Sequence, residues 1–183
     1  MTYINNNVIV RKKYTKMEII YKLPPERWKE YRDLRIQSLT ESPRAFGKNK
    51  KDLYVEKRHL VDHWVNILKD PYNEIIFIEN EDAELVGMVR IHSRLIIEPK
   101  VQIIGIISQF FVRKKFRNQK IGLSLFKNSI EYCTAKQTSE IFLNVVLGQK
   151  RAYQMYKKFG FKTTSWGFNI KKLILYRNMS LKI

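Results

Sequence analysis

Between Ser108 and Leu125 the chain reads SQFFVRKKFRNQKIGLSL, and this stretch holds the residues best suited to binding chemistry. Arg113, Lys114, Lys115, Arg117 and Lys120 crowd between an apolar run and an amphipathic segment. The run predicts a strand ending at Val112, and the segment predicts a helix from about Ile121. A strand–turn–helix connection points unpaired backbone N–H groups at one spot, and the helix dipole favours an anion there. The stretch therefore reads as a phosphate cradle. An ordinary basic turn with a solvated face would share its composition.

Length and composition bound what can surround such a cradle. A chain of 183 residues predicts one domain, and 44% hydrophobic with 13% aromatic residues suffices for a packed core. The formal net charge of +18 implies attraction to polyanions, whether nucleotide cofactors, nucleic acid or an anionic surface. Cys133 is the only cysteine, which excludes an intrachain disulfide and a cysteine-based zinc cluster. No secretory signal and no bilayer-spanning apolar run is found, so a soluble cytoplasmic protein without a membrane partner is expected.

The elements that must position the cradle follow from periodicity. Residues 1–16 are polar, basic and aperiodic, and read as an extension ahead of a domain over 17–183, or as the consequence of a start at Met1 in place of Met17. Met17 to Leu23 predicts a first strand, stopped by Pro24-Pro25, and a helix runs from there to about Glu41. A second helix is expected from Lys51 to Lys69, burying Leu60, Trp64, Ile67 and Leu68. Strands follow at Ile75 to Glu79 and Leu85 to His92, with a tip at Glu81-Asp82 and a bulge or close approach at Gly87. Val101 to Val112 leads into the cradle, and the next helix places Leu123, Phe126, Ile130 and Cys133 on one face. Ile141 to Val146 is another strand, Gln149 to Phe159 a helix capped by Gly160, and Phe161 onward the last strands. Interleaved helices and strands predict an α/β fold, a mixed sheet covered by helices.

Two of these segments carry a resemblance. Val112-x4-Arg117-Asn118-Gln119-Lys120-Ile121-Gly122 resembles the acetyl-CoA signature of the GNAT superfamily of N-acetyltransferases, Q/R-x-x-G-x-G/A after a strand. LNVVLGQKRAYQMYKKFGF, from Leu143 to Phe161, is similar to that family's strand–loop–helix ending in Tyr-x-x-x-Gly-Phe. LRIQSLTESPRAFG, from Leu34 to Gly47, looks like the first helix of one GNAT subgroup. The two motifs stand in the right order and cover, with the weaker likeness, roughly Met17 to Ile183.

The resemblance implies a mixed, mostly antiparallel central sheet flanked by helices, acetyl-CoA as co-substrate, and transfer of acetyl to a primary amine by direct attack in a ternary complex. It implies that the backbone of Phe110, Phe111 and Val112 pairs with the pantetheine arm. The amides from Arg117 through Asn118, Gln119, Lys120 and Ile121 to Gly122 would hold the pyrophosphate, with Gly122 allowing close packing. Tyr156 would protonate the departing thiolate, which a phenol of ordinary pKa about 10 can do. Taken alone, Tyr156 reads equally as a core aromatic beside Ala152, Met155 and Phe159. Two positions depart from the pattern: Lys120 replaces the first glycine, and Gln149 stands where an asparagine commonly contacts the cofactor arm.

No general base is evident. The strand before the cradle, IIGIISQFFV, has only Ser108 and Gln109 as polar side chains, so a water, Glu41, Glu98 or His92 would have to serve, or a low-pKa amine would need no base. His59 and His63 have metal-compatible spacing but no third ligand, and no metal is expected. The acceptor is a small-molecule or protein amine of unread identity, and edge strands near the C-terminus leave room for a homodimer. Two alternatives stay open: a CoA-binding relative without turnover, and a basic nucleic-acid-binding module. Against the latter, the aromatics fall mostly at core spacing.

Overall fold

The computed structural model describes residues 16–46, 50–170 and 173–183. The expected N-terminal extension up to residue 15, and Gly47 at the end of the Leu34 to Gly47 likeness, lie outside the described residues. The elements are β1 (Met17–Ile20), α1 (Trp28–Glu41), α2 (Lys50–Lys57), α3 (Val61–Lys69), β2 (Asn73–Asn80), β3 (Leu85–Ile96) and β4 (Gln102–Val112). There follow α4 (Ile121–Ala135), β5 (Glu140–Val146), α5 (Lys150–Lys158), β6 (Lys162–Asn169) and β7 (Ile174–Lys182). The strands form one seven-stranded sheet in the order β1-β2-β3-β4-β5-β7-β6. Every pairing is antiparallel except β4 with β5. The mixed, mostly antiparallel α/β sheet flanked by helices is thus the fold observed.

The middle of the sheet is buried on both faces because β2 and the first half of β3 are apolar at successive positions. In β2, Ile75 and Phe77 join Tyr31 and Leu34 of α1 and Trp64 and Leu68 of α3. Ile76 and Ile78 point the other way, to a core with Leu125 and Phe126 of α4 and Tyr156 of α5. Tyr31 packs edge-on against both Trp64 and Phe77, with ring centroids 5.5 and 5.8 Å away. Such pairs add about 0.5–1.5 kcal/mol each beyond burial.

The structure differs from the sequence reading in two places on these helices. The single helix expected from Lys51 to Lys69 is two, α2 and α3, broken between Arg58 and Leu60. The break re-aims the chain: Glu56 on α2 reaches the Arg35 guanidinium at 3.0 Å, while Trp64 on α3 turns into the core. Leu60, expected on the buried stripe, caps the start of α3 and is 78% exposed. On α4, Leu123 is exposed and Leu125 takes the core position beside Phe126. Gly87 makes the expected close approach, since an added Cβ would stand 3.1 Å from the Phe111 carbonyl oxygen.

Candidate active site

β4 and β5 start side by side and then part. Their ladder joins Ile104–Ile107 to Glu140–Leu143, and no pairing continues beyond it. On its other side, β4 stays paired with β3 through Val112, with a shift between Arg90↔Ser108 and Met88↔Phe111. The shift is a bulge in β4 at Gln109, whose φ is +52°. The Tyr31 hydroxyl donates to Gln109 Oε1 at 3.1 Å, so α1 holds the bulge from beneath. Past Ile107, β4 therefore turns one backbone edge to β3 and leaves the other open.

A cleft of about 390 Å3 occupies that opening. Its walls include Phe110, Phe111 and Val112 from β4, Asn144 and Val146 from β5, and Phe46 from the turn after α1. Gln149, Ala152, Met155 and Tyr156 face it from one side of α5. Arg117, Asn118 and Gly122 close its end. Gln119, Lys120 and Ile121 do not line it: Gln119 bonds back to the Lys115 carbonyl, Ile121 points into the core, and Lys120 is exposed. What these three can offer the cradle is backbone.

That backbone is shaped for an anion. Asn118 and Lys120 both have left-handed dihedrals, φ +64° and +61°. The first helical hydrogen bond of α4 runs from Ser124 N to Lys120 O, so the amides of Ile121, Gly122 and Leu123 have no helical acceptor. The glycine of the family pattern is explained by this turn: the position needs a left-handed conformation, which costs a residue with a Cβ about 1–2 kcal/mol. At Gly122 an added Cβ would meet the Phe110 ring at 3.3 Å and Val112 at 3.7 Å. The glycine lets the helix start lie against β4.

The side-chain cations are less available than their number suggests. Arg113 and Lys115 both pair with Glu84, which ties the cradle to the β2–β3 turn. Arg117 Nε donates to the Val112 carbonyl at 2.8 Å, and its Nη2 meets Glu41 at 3.1 Å. The cradle's attraction for anions thus comes first from amides and the helix dipole.

Tyr156 is 6% exposed, stacked among Phe110, Phe126 and Phe161, and it lines the cleft. Burial pushes its phenol up, so it stays protonated at neutral pH. The two readings of this residue merge: its ring is core and its edge belongs to the cleft. No carboxylate lines the cleft among the described residues. Of the expected bases, Glu41 is held by Arg117 and Glu98 lies beyond the far end of the β3–β4 hairpin. His92 contacts Asn73 Oδ1 at 3.1 Å, away from the cleft wall. His59 and His63 stack at 3.7 Å, and no group of three metal-ligating side chains occurs among the described residues.

Arg151, Asn144 and Phe46 are cleft residues that pattern reasoning missed. Asn144 was hidden because only the parting of two strands exposes it. Arg151 stands two residues after Gln149 and could have been found from the start of α5.

Residues 28–161 match the model of the acetyltransferase (GNAT) family. The chain belongs to that family. A Bacillus subtilis (strain 168) protein, named as a candidate alanine N-acetyltransferase of ribosomal protein bS18, is 31% identical over 94 residues. That match covers 51% of this chain and 57% of the relative, so the chain spans little more than half the relative's length. A GNAT-family acetyltransferase from Streptococcus pneumoniae has the same fold, with a TM-score of 0.74 and 17% identity. It covers 92% of this chain and 100% of its own. Arabidopsis thaliana NAA60, solved with acetyl-CoA, has a TM-score of 0.69 at 11% identity, covering 92% of this chain and 99% of its own. Enzymes of this family are acyltransferases that take their acetyl group from acetyl-CoA. The open β4 edge, the unpaired amides at the α4 N-terminus and the cleft between them fit such a co-substrate.

Proposed function

We propose that the protein is an N-acetyltransferase that acts on a primary amine of low pKa, such as the α-amine of a peptide or protein N-terminus. The observation that carries the acceptor class is the absence of any carboxylate among the described residues lining the cleft. A lysine ε-amine, with pKa about 10.4, arrives charged and needs a base, whereas an α-amine with pKa about 7.7–8.0 is substantially neutral near pH 8. Among the described residues, the charged side chains lining the cleft are Arg117 and Arg151, which disfavour a polycation. The name of the B. subtilis relative, an alanine N-acetyltransferase, points the same way.

Acetyl-CoA supplies the activated acetyl group as a thioester. The amides at the start of α4 hold its pyrophosphate, and the open backbone of Phe110, Phe111 and Val112 aligns the arm, with Gln149 opposite. A backbone N–H of the β4 bulge polarises the carbonyl. Tyr156 gives a proton to the leaving sulfur. The neutral amine attacks the thioester carbonyl directly, the C–S bond breaks, and the proton shed by the nitrogen passes to water, from which the Tyr156 hydroxyl is restored. Cys133, the one candidate for a covalent carrier, is buried against Gly105, and its thiol is pushed up to about 11 by burial.

The test is thiol release from acetyl-CoA with a peptide that begins with alanine, against the same peptide blocked at its N-terminus and a blocked peptide containing lysine. Turnover with the free N-terminus alone, rising toward pH 8, is expected. Equal rates on the lysine peptide would refute the acceptor class. Binding of acetyl-CoA with no transfer to any amine would favour the relative without turnover.

A further inference from the structure

Positive charge is unevenly spread along this chain. Residues 141–183 contain nine lysines and arginines and no aspartate or glutamate, which accounts for half of the net charge of +18. None of the described cations in that stretch forms a salt bridge. Unneutralised charge at this density needs a polyanionic partner or solvent to accommodate it.

The same stretch exposes aromatic rings. β6 is an edge strand, exposed along almost its whole length, and Trp166 and Phe168 are each 54% exposed. They stand two residues apart, hence on one face and about 7 Å from each other. Trp166 pairs across the hairpin with Arg177, whose guanidinium is sandwiched between the Trp166 ring at 4.4 Å and the Tyr153 ring at 4.5 Å. Lys157 caps the far end over Tyr153 at 5.9 Å. The result is a row that alternates cation and ring: Lys157, Tyr153, Arg177, Trp166. Arg177 covers one face of the indole and fixes its tilt, while Phe168 continues the row along the strand.

We propose that this row on the β6–β7 hairpin and α5 binds single-stranded nucleic acid, with bases stacking on Trp166 and Phe168 and phosphates pairing with Arg177 and Lys157. Alternating rings and cations match a ligand that alternates bases and phosphates. A second copy of the chain would set like charge against like charge. A lipid surface would accept cations and rings in any arrangement, so their strict alternation favours a ligand with the same alternation. The site is separate from the acetyl-CoA cleft, so the inference stands apart from the proposed acetyl transfer.

The experiment is fluorescence anisotropy with a labelled single-stranded RNA of about a dozen nucleotides, enough to cross the row. A duplex of the same sequence and vesicles of mixed phosphatidylserine and phosphatidylcholine run alongside. Saturable binding is expected, with log affinity falling against log salt by about 0.7 for each phosphate contacted. Trp166→Ala and Phe168→Ala should each weaken it roughly 5- to 100-fold at unchanged melting temperature. Arg177→Gln should reduce the salt slope. No RNA binding overturns the proposal. Binding that both alanine variants leave intact, or that the duplex shares equally, shows bare charge attraction and overturns it too. Vesicle binding lost in these variants, without RNA binding, assigns the row to a membrane surface instead.

Discussion

In the proposed mechanism, Tyr156 carries the chemistry asked of any single side chain. Its ring is fixed by Phe110, Phe126 and Phe161, so removing only the hydroxyl should leave the fold and the cleft intact. Tyr156→Phe is expected to lower kcat roughly 100-fold, the lower end for a positioned acid, with the KM for acetyl-CoA little changed. A proportional rise in KM would instead make Tyr156 a binding residue. Lys120 makes a different prediction. Its left-handed backbone suits glycine, so Lys120→Gly should gain about 0.5–1 kcal/mol and raise the melting temperature by about 1–4 °C. Lysine is tolerated there because its side chain stays exposed, which leaves only its backbone to the proposed cradle. Cys133 should resist thiol reagents until the protein unfolds, which mass spectrometry of labelled native protein would check.

The elements are held to the site by a few buried polar contacts. Tyr31 fastens α1 to the β4 bulge, and Arg35 fastens α1 to α2 through Glu56. Arg35 is 5% exposed, and its Nη1 already lacks a partner, so losing Glu56 would strand a buried charge. Glu56→Ala should therefore cost about 3 kcal/mol, measurable by urea unfolding. Most elements were legible in the sequence because hydrophobic period and turn residues agree, as for β2, β5 and α5 with its Gly160 cap at φ +90°. The break between α2 and α3 was not. No proline or glycine marks it, and it exists because Glu56 and Trp64 must meet different partners on α1. Phe110, Arg117, Gly122, Gln149 and Tyr156 converge on one cleft as their motifs suggested. The pairing of Arg117 with Glu41 lay beyond any motif, since those residues are distant in sequence.

For the whole molecule, charge sets how the protein responds to its surroundings. The His59–His63 stack lies beside Trp64, and desolvation, reinforced by His59 and Arg90 against the opposing Glu56, lowers the pKa of His63. The unfolded chain therefore binds the His63 proton more readily. Its contribution to stability is complete above the ordinary histidine pKa of about 6.5 and is lost as pH falls below it. Melting temperature should fall between about pH 7 and pH 5, and His63→Gln should flatten that slope. The cleft lies where the sheet divides, and one of its walls belongs to residues 141–183, which hold nine cations and no acidic residue. The central claim is that this division binds acetyl-CoA. Isothermal titration of the protein with acetyl-CoA tests it most directly. Saturation at one site per chain is expected, retained in Tyr156→Phe and weakened by Gly122→Val, whose side chain would push into Phe110. An absence of binding by the parent protein under any salt condition would contradict it.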